Sequence, residues 1–507
     1  MRIVIRFFTF SLATLLAGFI GLFFYLQNTE RLKPEVESLI ADQMGITVRI
    51  HGDLRWQLLP PLTLAIKDLE VIDGSIRARA ESLDLAMDLS AMWQDTNQWK
   101  VDALHLTNTV ISDGTSSATL TGVELTDFRP GAPAQLMATG HYLPPGAPDA
   151  YTGTLQGILI YEPATEASPA RIRLEATELK SEAFTTVCNL AASENGQTLA
   201  QSAASDTGLL PVAVLRGIDL TTECAISELN VAGQKFTNGA FKLTNLADTL
   251  SLSFELPDFF NGQAAAEVSV DLAARPISWA ITPHIDRVDS KRLLDWADQS
   301  IHWVAPVALK GQIQMVGNSQ TEWVESLQSN LVFDGGTGEI DITELKQQLA
   351  KLSVLTGNAD AFAQWPETWV YDTFTGTLLT QGRQQTLSGQ LDNLTLEGQG
   401  TYDYAADRID MMADVMFKKA PQGSPYVINP MLQDTPLPVR CRGKTASLSC
   451  KLDGDATQAL IANALKRDSD TGLRRKLEDK IDEKVPEQYR EAARGLLDII
   501  GRALDND

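Results

Sequence analysis

Residues 48–59 read VRIHGDLRWQLL. Val48, Ile50, Leu54, Trp56 and Leu58 fall on one side of an extended chain, with Gly52 among them. Arg49, His51, Asp53, Arg55 and Gln57 fall on the other. Side chains alternate across a strand, so this segment reads as one strand with an apolar face and a hydrated face. Pro60 and Pro61 end it, because proline cannot donate to a ladder. Leu62, Leu64 and Ile66 then resume the alternation, and Leu83, Leu85, Met87 and Leu89 continue it with Asp84 and Asp88 opposite. Further strands are expected over 250–256, 264–272, 307–315 and 409–417, separated by turn signals such as FNGQ, DGGTG and TGN. One-sided alternation favours antiparallel strands with one solvated face. The fold class is therefore mainly β, and something must cover a long succession of apolar faces.

Helices are few. TERLKPEVESLIADQMG, ending at Gly45, suggests a short helix with Pro34 in its first turn. Residues 341–355 place Ile342, Leu345, Leu349 and Leu352 on one side, with Asp341 and Glu344 spaced as an N-terminal capping pair. Residues 290–301 form another candidate. Near the carboxyl end, Leu473, Leu477, Ile481 and Val485 form one stripe and Leu496, Leu497, Ile500 and Leu504 a second, with Pro486 between them. This segment reads as an amphipathic helix closing one end of the sheet. Residues 129–150, 161–170 and 191–211 are loop-rich.

Residues 7–26 contain 20 positions without a charge. That is enough helix to span a bilayer, and too long for the apolar core of a cleavable signal peptide. Arg2 and Arg6 precede it, so the amino terminus is expected in the cytoplasm and the bulk on the far side. The 507 residues exceed what one compact core usually serves. A net charge of −23, from 65 acidic and 42 basic residues, argues against a nucleic-acid partner.

The motifs for chemistry are missing. There is no H-E-x-x-H and no G-x-S-x-G, and GKT at 443–445 lacks the upstream glycine of a phosphate loop, Pro438 standing in its place. The five histidines are scattered, with His51 on a polar strand face. Neither catalytic residues, nor a cofactor, nor a metal site is expected. Four cysteines outside the cytoplasm suggest disulfides. Of the three pairings open to four cysteines, the local ones are expected: Cys188 with Cys224, and Cys441 with Cys450.

The apolar faces could meet in a sandwich or line an open trough, and patterning alone does not choose. The length of the chain favours the trough, a long antiparallel sheet curled into an apolar groove. Such a groove suits acyl chains, since exposing a 16-carbon chain to water costs on the order of 12 kcal/mol. Its expected lining includes Ile50, Leu54, Trp56, Leu58, Leu64, Ile66, Leu83, Leu85, Val268, Val270 and Val415.

The stretch LKPEVESLIADQMGITVRIHGDLRWQLLPPLTLAIKDLEV, residues 32–71, resembles the amino-terminal signature of the AsmA family: a short helix with proline, a G-x-x-V-x-I-x-G-x-L-x-W strand, then a P-x-L-x-L strand. Residues 209–238, 335–357 and 435–453 are similar to that family as well. The resemblance implies a bacterial envelope protein held in the inner membrane and facing the periplasm. It also implies a β-groove and a part in lipid movement and outer-membrane biogenesis. It carries no catalytic motif. The expected organisation is a cytoplasmic terminus (1–6), an anchor (7–26), a membrane-proximal groove segment (27–128), a loop-rich middle with strands (129–208), an AsmA-like groove segment (209–456) and a helical carboxyl end (457–507). The expected function is non-enzymatic transfer or holding of phospholipid or another acyl lipid. The alternative is an assembly factor that contacts outer-membrane or periplasmic proteins through a sheet edge, without lipid.

Overall fold

The computed structural model describes residues 33–34, 37–38, 47–57, 62–73, 76–88, 100–112, 117–143, 151–165, 168–195, 208–210, 212–299, 301–356, 365–420, 424, 426 and 433–453. The expected anchor at 7–26, the cytoplasmic residues 1–6 and the carboxyl-terminal helical segment 457–507 lie outside these residues. Among the described residues no helix is long and apolar enough to cross a membrane. The chain divides into two compact units, residues 1–254 and 255–507.

Unit 1 is an antiparallel sheet. Its strands are β1 (Thr47–Ile50), β2 (Leu54–Gln57), β3 (Leu62–Asp73), β4 (Ile76–Asp88), β5 (Lys100–Ser112), β6 (Ser117–Phe128), β7 (Ala134–Leu143), β8 (Tyr151–Glu162), β9 (Arg171–Ser181), β10 (Phe184–Glu194), β11 (Ile218–Val231) and β12 (Gln234–Leu246). β1 and β2 both pair with β3, and each later strand pairs with the next through β12. Short α1 (Val212–Arg216) lies between β10 and β11. β13 (Thr249–Phe259) carries the chain from the first unit into the second.

The opening stretch is two strands rather than the single one expected from its alternation. The ladder breaks at residues 51–53, where the Gly52 N–H donates to the Lys67 carbonyl at 3.1 Å. A Cβ on Gly52 would sit 2.6 Å from that oxygen, so only glycine permits this approach.

A crease crosses β3 to β6. In each strand two consecutive residues interrupt the alternation: Lys67-Asp68, Glu81-Ser82, Thr107-Asn108 and Thr121-Gly122. Asp68 and Asn108 take φ of 51° and 44°, a left-handed conformation that their short polar side chains tolerate. Leu64 and Ile66 on one side of the crease, and Leu69 on the other, nevertheless pack on the same cluster. Polar groups tie the crease together. Arg79 donates to Asp68 at 2.6 and 2.8 Å, Asn108 to Glu81 at 2.5 Å, and the Ser82 and Thr107 hydroxyls lie 2.7 Å apart.

Unit 2 contains β14 (Gly262–Asp271), β15 (Ser278–Asp289), β16 (Trp303–Val304), β17 (Pro306–Val316), β18 (Gln328–Asp334), β19 (Gly338–Asp341), β20 (Thr368–Tyr371), β21 (Phe374–Gln381), β22 (Gln384–Leu391), β23 (Leu394–Asp403), β24 (Arg408–Phe417), β25 (Leu437–Gly443) and β26 (Ser449–Leu452). Its main sheet runs β14–β15–β17–β18–β21–β22–β23–β24–β25–β26, all antiparallel. β16, β19 and β20 form a separate three-stranded sheet. The α-helices among its described residues are α2 (Ser290–Trp296), α3 (Gln320–Ser326) and α4 (Thr343–Thr356). α2 is shorter than the expected 290–301, with Asp289 accepting from the Arg292 N–H at its start. α4 matches its expectation, and the Thr343 N–H donates to Asp341 at 2.7 Å.

This unit has a filled core. Leu349 of α4 and Trp369 and Tyr371 of β20 pack with Phe417 and Leu437 of the main sheet, all at most 1 % exposed. Tyr426 stacks on Trp369 at 4.3 Å and closes the free edge of β20. Its hydroxyl accepts from the Val370 N–H at 2.8 Å and donates to the Thr368 carbonyl at 3.0 Å.

Both expected disulfides form, and each joins residues directly opposite in a ladder: Cys188 with Cys224 across β10 and β11, and Cys441 with Cys450 across β25 and β26.

Candidate functional site

The apolar side of unit 1 is built from rows that run across the strands. One row passes from Leu54 through Ile66, Leu83, Leu106, Val123 and Ala138, and continues through Leu155, Leu179 and Thr186 to Ile226. A second runs from Leu64 through Leu85, Leu104 and Leu125 to Leu136. The first row crosses ten strands, about 43 Å at ~4.8 Å per step. No charged side chain stands in either row.

Burial separates this face from an ordinary core. Leu54, Ile66, Thr186 and Ile226 are buried, whereas Leu83, Leu106, Val123, Leu155 and Leu179 are only half-buried. All five members of the second row are half-buried too. Among the described residues, unit 1 has no second sheet. Apart from the fragments at 33–34 and 37–38, the only helix among its described residues is the five-residue α1. In unit 2, by contrast, Trp369, Phe417 and Leu349 are fully enclosed.

The expected lining residues therefore divide. Ile50, Leu54 and Ile66 form a small buried cluster, with Leu64 and Leu83 packed against it. Leu85 joins the half-buried row beside them. Trp56 pairs in register with Leu64, while its side chain and all of Leu58 lie outside what is described. Val268 is half-buried, Val270 is 1 % exposed, and Val415 belongs to the filled aromatic core. Ile50, Leu54, Ile66, Val270 and Val415 are thus covered by the protein itself. Sequence reasoning passed over Leu104, Leu106, Val123, Leu125, Leu136, Leu155 and Leu179. The available signal was the alternation in LHL, VEL and LQGIL, once a one-residue shift of phase at the crease is allowed.

The opposite face of β3–β5 is polar. A shallow hollow of about 770 Å³ there is lined by Lys67, Asp68, Glu70, Arg77, Arg79 and Asn108, among others. The hydrogen bond from Arg79 holds the Asp68 carboxyl below its usual range, and the one from His51, at 3.0 Å, does the same for Glu70. Acids and bases pair closely here and leave no concentrated charge of one sign. Among the described residues no three His, Cys, Asp or Glu side chains gather in a way that could hold a metal.

No family model matches the sequence, and no curated protein matches it.

Proposed function

We propose that this chain is a non-enzymatic acyl-lipid-holding or lipid-transfer protein, in which the apolar face of a membrane-tethered β-sheet shelters hydrocarbon. The observation that carries the proposal is the half-buried state of an uncharged aliphatic run from Leu83 to Leu179 and of the whole row from Leu64 to Leu136 in unit 1. Folded proteins seldom leave a contiguous apolar surface of this extent without a use for it. A continuous row also lets a chain slide from strand to strand without meeting water at any step. The resemblance of residues 32–71 to the AsmA family supports the same reading, as does the charge-free stretch at 7–26. On this proposal the chain is tethered in a bacterial inner membrane with its bulk in the periplasm, and it serves outer-membrane biogenesis. The partner is phospholipid or another acyl lipid.

The sheet-edge alternative draws less support. The last strand of unit 2, β26, is four residues long, carries exposed Lys451 and is stapled by the Cys441–Cys450 bond. Short, lysine-bearing edge strands are built to resist strand addition.

The test is to purify the full chain, remove free detergent and count copurifying lipid by native mass spectrometry and extraction. At least one diacyl lipid per chain is expected. A chain that is empty when isolated from native membranes, and that takes up no lipid from added phospholipid, would overturn the proposal.

A further inference from the structure

The main sheet of unit 2 carries a polar interruption on its apolar face. Ile281, Ile313, Ser329, Thr380, Gln385 and Gly400 are successive partners across β15 to β23. Thr380 and Gln385 are 5 % and 8 % exposed, so both polar side chains are withdrawn from water at the end of the β21–β22 hairpin. The Thr380 hydroxyl donates to Gln385 Oε1 at 2.8 Å, and Gln385 Nε2 donates to the Tyr404 hydroxyl at 3.0 Å. Tyr404 is half-buried, with Tyr402 packed beside it at a ring separation of 4.4 Å.

Two donor hydrogens of this cluster are left over: in these bonds the Tyr404 hydroxyl hydrogen and the second Gln385 amide hydrogen have no acceptor. Turning the amide over changes only which hydroxyl hydrogen is left, since Thr380 would then accept and Tyr404 donate. The leftover Gln385 hydrogen is withdrawn from water, which is unfavourable, whereas the half-buried Tyr404 hydroxyl is free to turn toward an acceptor outside the sheet. The next row along the same face is aliphatic and half-buried: Leu331, Leu378 and Leu387. The nearby cation, Arg383, sits at the exposed turn and pairs with Asp403 at 3.5 Å.

We propose that the half-buried Tyr404 hydroxyl, positioned by the buried Gln385 and Thr380 behind it, donates to the carbonyl oxygen of an ester-linked acyl chain, whose hydrocarbon lies over Leu331, Leu378 and Leu387. An uncharged donor cluster beside aliphatic surface complements an ester carbonyl. A fatty-acid carboxylate would bring a charge that no cation in the cluster answers. The inference rests on the reading that the apolar faces of this chain hold acyl chains, and it adds a chemical preference to that reading.

The test uses the full chain with a photoreactive amino acid in place of Leu387. It is exposed to equal amounts of dioleoyl phosphatidylcholine, its diether analogue, which lacks the carbonyls, and oleic acid. Losing one hydrogen bond to a ligand is worth about fivefold in affinity. Ester adducts should therefore exceed ether adducts by about fivefold, and Tyr404→Phe or Gln385→Leu should bring the two to parity. Tyr404→Phe keeps the ring, and a melting curve confirms that each variant folds; Thr380→Val provides a second smooth replacement. Equal ester and ether labelling in the parent chain, or a preference unchanged in all three variants, would overturn the subsite. Fatty-acid labelling in excess of ester would refute the choice of a neutral carbonyl. No labelling by any lipid at Leu387, with no lipid retained by the whole chain, would reject the acyl-lipid reading itself.

Discussion

Replacing Leu106 by Asp and, separately, Val270 by Asp distinguishes an open apolar face from a filled core within one chain. Leu106 sits mid-row between Leu83 and Val123 and is half-buried. Fully burying a leucine contributes ~1.5–3 kcal/mol, so a half-buried one contributes about 1 kcal/mol, and a carboxylate placed there still reaches water. For a unit of this size ~1 kcal/mol corresponds to a shift of about 2–4 °C in Tm. Val270 is 1 % exposed, beside Leu272 at 0 %. An aspartate there loses the whole apolar contribution and also faces an unpaired buried charge, so the cost should exceed ~4 kcal/mol. Scanning calorimetry of the full chain should show unit 1 melting a few degrees lower in Leu106→Asp and unit 2 lost or lowered by more than ~10 °C in Val270→Asp. Lipid retention should move the other way: Leu106→Asp should lose bound lipid while remaining folded. If Leu106→Asp unfolds unit 1 as severely as Val270→Asp unfolds unit 2, the row is core and the open-face reasoning fails.

Other outcomes follow from single residues. Ser in place of both Cys441 and Cys450, separated by 9 residues, should cost unit 2 about 3 kcal/mol on the chain-entropy model, whereas the Cys188–Cys224 pair, separated by 36, should be worth about 4 kcal/mol to unit 1; denaturant titration checks both. Gly376→Ala should destabilise unit 2 by ~1–3 kcal/mol, because its Cβ would meet the Phe333 ring and the Ser388 carbonyl, each at 2.5 Å. The Thr343 hydroxyl and N–H hold Asp341 below its ordinary pKa, so its contribution to α4 is present above the unfolded value near 3.8 and is lost as the pH falls through the lowered folded value. Asp341→Ala should therefore cost ~1 kcal/mol at pH 7 and much less at pH 2, as read by chemical denaturation at the two pH values.

Alternation made the strand class legible from Leu83–Leu89, Ala264–Leu272 and Ile409–Phe417, because an antiparallel sheet with one wet face writes its period directly into the residues. Helix α4 was legible for the same reason at period 3.6, with Asp341 marking its start. The disulfides followed from chain proximity. The middle of unit 1 was harder to read. At Asp68 and Asn108 a left-handed residue shifts the side-chain phase by one, so Leu64 and Leu69 look out of step in sequence and yet pack on one cluster. The break at Gly52 was hidden too, since it depends on the close passage of Lys67 from another strand. The filled core of unit 2 could not be read either. Whether Val415 faces ligand or protein depends on Trp365, Trp369 and Tyr426 arriving from elsewhere in the chain, and period-2 patterning carries no information about that. The Gln385 cluster was missed because a lone polar residue on an apolar strand face looks like noise until its partners are placed.

The central claim is that the apolar rows of unit 1 contact hydrocarbon. The most direct measurement places a photoreactive amino acid at Val123, on the half-buried row, and in a parallel chain at Val110, which is 44 % exposed on the polar face. After irradiation in native membranes, mass spectrometry of the purified chains should find acyl-lipid adducts at position 123 and none above background at 110. Equal labelling at the two positions, or no lipid adduct at 123, would contradict the account.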